Sequence, residues 1–297
     1  MAHNPPVIER RSAQVDGSTL SFLHAGPGPQ TGESMVLLHG VPESAELWRG
    51  VMEVLAGAGR AVRAPDMPGY GETRSTSYSL SSSADLIATW LRATGGPVWL
   101  VGHDLGGGVA QIVASRHPEL VSRVTLTCSA VEDFWPVLPI RVFQLAARLH
   151  IYPFLAAAGV MEYNPYTWLE FRRAFARGER VTPADRRRVF FDRKIRDATG
   201  RREFSALLRA LTNKDTVAVA PRLRTLSMPV QLVWADRDRF QPWEKTGARL
   251  RELLPMPSVT IVEESGHFLP LERPTEYARA LLAWHWRLAL DPVHPAL

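Results

Sequence analysis

The sequence predicts an α/β fold: a mostly parallel central sheet flanked by helices, interrupted by a helical insertion. Three observations predict it. Short β-branched or apolar runs with few charges recur in the first half, as expected of central strands buried on both faces. They are Val36-Leu37-Leu38, Arg60 to Ala64, Val98 to Val101 and Val124 to Thr127. Amphipathic stretches separate them. Glu43 to Ala58 repeats Leu47, Val51, Val54 and Leu55, and Ser81 to Thr94 repeats Leu86, Ile87, Trp90 and Leu91. Alternation of this kind requires crossover connections between parallel strands. Thirdly, the strand rhythm stops from about Asp133 to Leu226 and resumes with Val230 to Trp234 and Val259 to Val262, before a last helix over Thr275 to Leu288. The expected organisation is therefore a core domain of residues 1–132 and 227–297, with a helical cap of residues 133–226 near the carboxyl ends of the strands.

Composition narrows the class further. With 297 residues, 45% of them hydrophobic and 22% charged, the chain is long enough for one large domain and too apolar for a disordered one. Cys128 is the only cysteine, so an intrachain disulfide is excluded. The N-terminus has no apolar core of the secretory kind, and no run approaches the roughly 18 apolar residues of a membrane span. A soluble, cytoplasmic protein without membrane attachment is expected. The net charge is +5, and apart from Lys194, Lys214 and Lys245 the basic residues are all arginine. Arginines cluster between Phe171 and Arg202, but Glu179, Asp185, Asp192 and Asp197 interrupt them, which predicts a solvated, ion-paired face. No nucleic-acid reading motif accompanies them.

The most informative stretch is Val101-Gly102-His103-Asp104-Leu105-Gly106-Gly107-Gly108. A strand ends at Val101 and a helix carrying Ala110, Ile112, Val113 and Ala114 starts near Leu105. The glycines permit a very tight strand-to-helix turn, because a Cβ there would collide with neighbouring backbone. Such a turn pushes its apex side chain out of the end of the sheet and aims the helix's first N–H groups at whatever binds there. The apex here is Asp104, a candidate carboxylate nucleophile. A phosphate loop or a plain helix cap would use similar glycines, but a carboxylate at the centre is electrostatically wrong for phosphate.

Taken with its surroundings, this turn resembles the α/β-hydrolase fold family, in its epoxide hydrolase and haloalkane dehalogenase branch. The matching segments, in the family's order, are His39-Gly40-Val41-Pro42, Asp66-Met67-Pro68-Gly69-Tyr70-Gly71, Gly102-His103-Asp104-Leu105-Gly106-Gly107, Trp234-Ala235-Asp236-Arg237-Asp238 and Gly266-His267-Phe268. The resemblance implies that Asp104 is the nucleophile, His267 the general base and Asp238 the acid that orients it. Ala235 stands where the family's Gly-x-x-Asp spacing has glycine, which selects Asp238 and leaves Asp236 as a turn residue. Glu132, after the strand ending near Cys128, is the alternative acid. The backbone N–H groups of Val41 and Leu105 would form the oxyanion hole, with Pro42 at the family's cis-proline position.

An ionised aspartate needs no base to attack a saturated carbon. The resulting ester of Asp104 would be hydrolysed by water that His267 deprotonates. Attack on an acyl carbon would instead give an anhydride, which disfavours ordinary ester hydrolysis. The leaving group separates the remaining chemistries: an epoxide oxygen needs an acid, usually a cap tyrosine, whereas a halide needs N–H donors such as indoles. The cap offers Tyr152, Tyr163, Tyr166, Trp135 and Trp168, each of which could equally be a packing aromatic. Val41 and Leu105 lack the polar donors of many dehalogenases. The sequence thus points to a cofactor-free, metal-free epoxide hydrolase forming vicinal diols from a small, largely apolar substrate. A haloalkane or haloacid dehalogenase is the alternative, and a non-hydrolytic ligand-binding relative the third reading. Nothing in the sequence selects an oligomeric state.

Overall fold

The computed structural model describes residues 6–27, 33–160, 169, 172–191 and 197–290. Eight strands form a single sheet: β1 (Glu9–Val15), β2 (Ser18–Ala25), β3 (Met35–Leu38), β4 (Val62–Pro65), β5 (Val98–His103), β6 (Val121–Thr127), β7 (Val230–Ala235) and β8 (Ser258–Val262). Their spatial order is β1-β2-β4-β3-β5-β6-β7-β8. From β4 through β3 to β8 every pair is parallel, whereas β1, β2 and β4 pair antiparallel.

The antiparallel pair at the edge is absent from the sequence expectation, which begins the strands at Val36. Its outer member, Glu-Arg-Arg-Ser-Ala-Gln-Val, is exposed along most of its length and carries charge instead of an apolar run. Charge on an edge strand blunts pairing with other chains and also hides the strand from a hydrophobicity search. Asp16 and Gly17, both at positive φ (45° and 73°), make the two-residue turn between β1 and β2. That is the backbone a tight hairpin needs.

The central strands behave as their composition predicts. All residues of β3, β4, β5 and β7 are buried. Where polar groups are buried among them they are bonded in a chain: Trp99 Nε1–H donates to Thr125 Oγ1 at 3.0 Å, and Thr125 in turn to Gln231 Oε1 at 3.2 Å. The stretch over 43–58 opens as a tight turn at Ala45–Trp48 before α1 (Arg49–Gly57). α2 (Leu80–Thr94) starts where Ser79 accepts a bond from the Ser82 N–H, an N-cap. α3 (Leu105–Arg116) is buried throughout its first ten residues, so it has no polar face there and lies wholly inside the fold. α1 packs with the last helix, Pro274–Leu290, and α2 with α3.

Among the described residues between β6 and β7, every regular element is helical, including α4 (Leu138–Arg148), α5 (Tyr152–Ala157) and the helix Ala198–Ala210. Arg188 pairs with Asp185 three residues away, as the spacing suggests, but it also meets Glu46, and Arg177 and Arg180 pair with Glu264, acids outside the segment. No described helix is long and apolar enough to cross a membrane.

Leu100 lies mid-strand in β5 with no exposed surface. Leu100→Ala is expected to lower unfolding free energy by about 2–5 kcal/mol through lost burial and the cavity left behind. Urea titration should show the midpoint falling with the slope unchanged.

Candidate active site

The loops that matter all leave the carboxyl ends of parallel strands: after β3, β5, β7 and β8. At the end of β5 the chain turns into α3 through a single residue, Asp104, at φ 49° and ψ −118°. A side chain in that region carries strain of about 1–3 kcal/mol, and it persists only where the surroundings over-determine it. Here they do. The Asp104 N–H donates to Thr127 O (3.2 Å), and its carbonyl accepts from the Gly107 and Ala130 N–H groups (both 3.0 Å). Glycine is obligatory on either side: a Cβ on Gly102 would lie 2.5 Å from the Gly106 carbonyl oxygen, and one on Gly106 would run into the Leu38 and His39 carbonyls.

The carboxylate so presented is buried. Its Oδ2 accepts from the Val41 N–H at 3.0 Å, and the Val41–Pro42 peptide is cis. A Cβ on Gly40 would collide with the Asp104 side chain, so Gly40 is what lets the β3 loop lie against it. The Leu105 N–H is the first of α3, where helical N–H groups have no partner within the helix and favour negative charge. Burial pushes the Asp104 carboxyl above its ordinary value, and the neighbouring Glu43 charge adds to this; His267, His103 and the Val41 N–H pull against it.

His267 stands across from Asp104, Nε2 to Oδ1 4.0 Å, while its Nδ1 lies 2.9 Å from Asp238 Oδ2. Asp238 Oδ1 accepts the Phe240 and Gln241 backbone N–H groups at 2.8 and 2.9 Å. Burial alone would raise the Asp238 carboxyl, but the His267 charge and bond and these two N–H groups hold it below its usual value. Burial likewise depresses His267, yet the Asp238 bond and the Asp104 and Glu43 charges outweigh it and lift the imidazole to about 9.

Two further groups escaped the sequence reading. His103 and Glu43 are fully buried beside the site. His103 Nδ1 faces Glu43 Oε2 at 3.1 Å and Nε2 faces the His267 carbonyl at 2.8 Å. Both ring nitrogens thus face oxygen atoms, and the His103 imidazole bridges the Glu43 carboxyl and the His267 carbonyl. Glu43 Oε2 also accepts the Gly40 N–H at 2.8 Å. The pair therefore straps the loop bearing Val41 to the loop bearing His267. Its sequence signal was slight: a histidine inside the glycine motif and a glutamate three residues after Gly40. Glu43, His103 and His267 bring ligand atoms within 4.8 Å of one another. Glu43 Oε2 and both His103 nitrogens are already hydrogen-bonded, and a cation drawing on them would have to break those contacts.

The other sequence candidates are placed as follows. Asp236 accepts the Ser265 N–H at 3.0 Å and holds that turn. Glu132 binds Arg249 through both oxygens, at 2.6 and 2.8 Å, and so is occupied elsewhere while Asp238 meets His267. Trp135 lines the cavity over Asp104, and its indole N–H donates to Thr216 Oγ1 at 2.8 Å. Tyr152 is buried and packs against Phe204, its ring centroid 5.5 Å away. Tyr163, Tyr166 and Trp168 lie outside the described residues. The cavity itself measures about 670 Å³, its mouth included. Its described wall is apolar except for Asp104, His267 and Gln241, and Gln241 is a third residue the sequence reading missed.

A glycine-bounded elbow on a mostly parallel eight-stranded sheet, backed by a buried His–Asp pair, prompts comparison with known proteins. Residues 33–274 match the family described as alpha/beta hydrolase fold. The chain belongs to that family. Among its relatives, the uncharacterised hydrolase YugF of Bacillus subtilis is 27% identical over 276 residues, covering 89% of this chain and 93% of that protein. Bifunctional epoxide hydrolase 2 of Sus scrofa is 26% identical over 93% of this chain, a match that spans 55% of the pig protein. Among solved structures, Cfl2 from Burkholderia cenocepacia superposes with a TM-score of 0.75 at 29% identity, covering 93% of this chain and 95% of that one.

Two stability outcomes follow for this hydrolase. Glu43→Leu leaves the buried His103 ring without its carboxyl partner and should cost about 3–5 kcal/mol, whereas the double variant Glu43→Leu/His103→Phe should recover part of that loss. Denaturant titration of the two variants checks it. Because Asp104 titrates above its ordinary range, its ionisation weakens the folded state as pH rises through that range. Asp104→Asn should therefore unfold at a higher temperature than the parent at neutral pH and lose this advantage in acid.

Proposed function

We propose that this hydrolase opens an epoxide to a vicinal diol through a covalent ester of Asp104. The observation that carries the reading is the residue at the elbow: a carboxyl group, in place of a hydroxyl, faces the cavity with His267 and Asp238 behind it. The pig relative's name, epoxide hydrolase, supports the same chemistry. The helical segment 133–226 is the cap in this reading, and residues 1–132 and 227–297 are the core.

Asp104 attacks a ring carbon, the carbon–oxygen bond breaks, and the released alkoxide takes a proton. Tyr163 and Tyr166 remain the cap's candidates to supply that proton, and Trp168 the candidate donor for a halide. The halide alternative has lost one donor, since the Trp135 indole is bonded to Thr216. Esterification then removes the Asp104 charge. That charge is one of those holding His267 near 9, so its loss lowers the imidazole and favours the neutral, basic form when a base is needed. His267 takes a proton from water, the hydroxide adds to the ester carbonyl, and the oxyanion is met by the Val41 and Leu105 N–H groups. Collapse returns the Asp104 carboxylate and releases the diol.

His267→Gln should stop the second step while sparing the first. Incubated with terminal epoxides and alkyl bromides, this variant is expected to accumulate an adduct on the peptide containing Asp104, detected by mass spectrometry. The compound class that labels it identifies the leaving group. Absence of label from both classes, in folded protein, would overturn the ester mechanism. In the parent enzyme, kcat/KM should fall in acid with a midpoint above that of an ordinary aspartate, because only the ionised Asp104 attacks.

A further inference from the structure

Gln241 is the polar side chain on the cavity wall that the mechanism does not use. The residue is 2% exposed, and its Oε1 is enclosed without a hydrogen-bond partner. The backbone on either side is fixed. Its N–H is bonded to Asp238 Oδ1 at 2.9 Å, and its carbonyl accepts the Trp234 indole N–H at 2.7 Å. The side chain is thus carried on the same rigid turn that presents the acid to His267. The neighbours that share the wall are apolar: Phe240, Phe268, Ile140 and Phe143 among them. A carboxamide held against such surroundings costs free energy unless something bonds to it.

We infer that Gln241 is a specificity residue, and that the substrate carries a hydrogen-bonding polar group, such as an ether, hydroxyl or carbonyl oxygen, on its otherwise apolar tail. The inference rests on the proposed ester chemistry for its reaction and adds the class of substrate that the cavity selects. Among the described residues the Gln241 amide N–H groups donate to no partner, so the group on the substrate that would pair with them is an acceptor. A plain hydrocarbon tail would leave the amide unpaired in the closed complex. Sites built around a buried polar group reject the analogue lacking its partner much more strongly than apolar pockets reject a missing methylene.

The test is a substrate-by-variant cycle. The probes are straight-chain terminal epoxides, and the matching primary bromides, in which each tail methylene is replaced in turn by an ether oxygen; the all-carbon chain is the reference. The enzymes are the parent, Gln241→Leu and Gln241→Met. For at least one oxygen position the parent should favour the ether over the hydrocarbon by about tenfold or more in kcat/KM. Both variants should erase that preference and accept the hydrocarbon as well as, or better than, the parent does. Equal losses on every probe would mean that Gln241 only supports the fold of its turn, and would overturn the inference. So would a preference that is absent from the parent or survives unchanged in both variants. Labelling of His267→Gln by these same probes is run in parallel. Failure there is failure of the ester mechanism, whereas labelling without an ether preference is failure of the specificity role alone.

Discussion

The close approach of two backbones fixes this site. At Gly106 the first turn of α3 lies against the carbonyls that end β3, with no room for a methyl group between them. That contact forces the chain to leave β5 through one residue in a left-handed conformation, which turns the Asp104 side chain out of the end of the sheet. It also sets α3 beside the β3 loop, so the Val41 N–H reaches the carboxylate that the elbow presents. Gly102 lets β5 lie against the first turn of α3, and Gly40 lets the β3 loop lie against the Asp104 side chain. A larger residue at any of them displaces two elements at once, and the loss falls on the geometry of the carboxylate.

Burial then makes the charges interdependent. Three carboxylates and two imidazoles share one water-poor end of the sheet. Glu43 faces His103, Asp238 faces His267, and Asp104 lies beside both pairs. Burial and the Glu43 charge raise its pKa, and its own charge helps raise that of His267. An aspartate so placed is poorly solvated in its charged form. In the proposed ester mechanism, bonding to carbon would remove that charge from beside the histidine and so lower its proton affinity.

Much of this was legible in the chain. The central strands, the helices over 81–94 and 275–288 and the elbow all follow from short uncharged runs, helical periodicity and clustered glycines. Asp104, Val41, His267 and Asp238 meet because the order of their segments, read through a family resemblance, anticipates which strand ends adjoin. What stayed hidden has physical reasons. β1 is an exposed edge strand whose side chains carry no apolar alternation, and only its Asp16-Gly17 turn betrays it. Glu43 and His103 find each other across 60 residues of sequence. Trp135 showed a donor in the right segment, but sequence cannot reveal that a threonine 81 positions later would take its N–H. Gln241 reads as an ordinary loop residue until the cavity around it is seen to be apolar.

The wall opposite the elbow is tied to the base as firmly as the elbow is tied to the sheet. The His267 N–H donates to the Ala174 carbonyl at 2.7 Å, and a Cβ on Gly266 would run into the backbone of residues 174–176. Glu272 accepts the N–H groups of Gly266, Ala176 and Arg177 together. Chain from the helical segment between β6 and β7 therefore shares its hydrogen bonds with the turn that positions the imidazole. Where Ala174 forms part of the cavity wall, that wall and the base are one mechanical unit. Displacing it would break several buried bonds and shift His267 relative to Asp104. The contacts that build this part of the cavity wall therefore also hold the His267 backbone, and the two cannot be displaced separately.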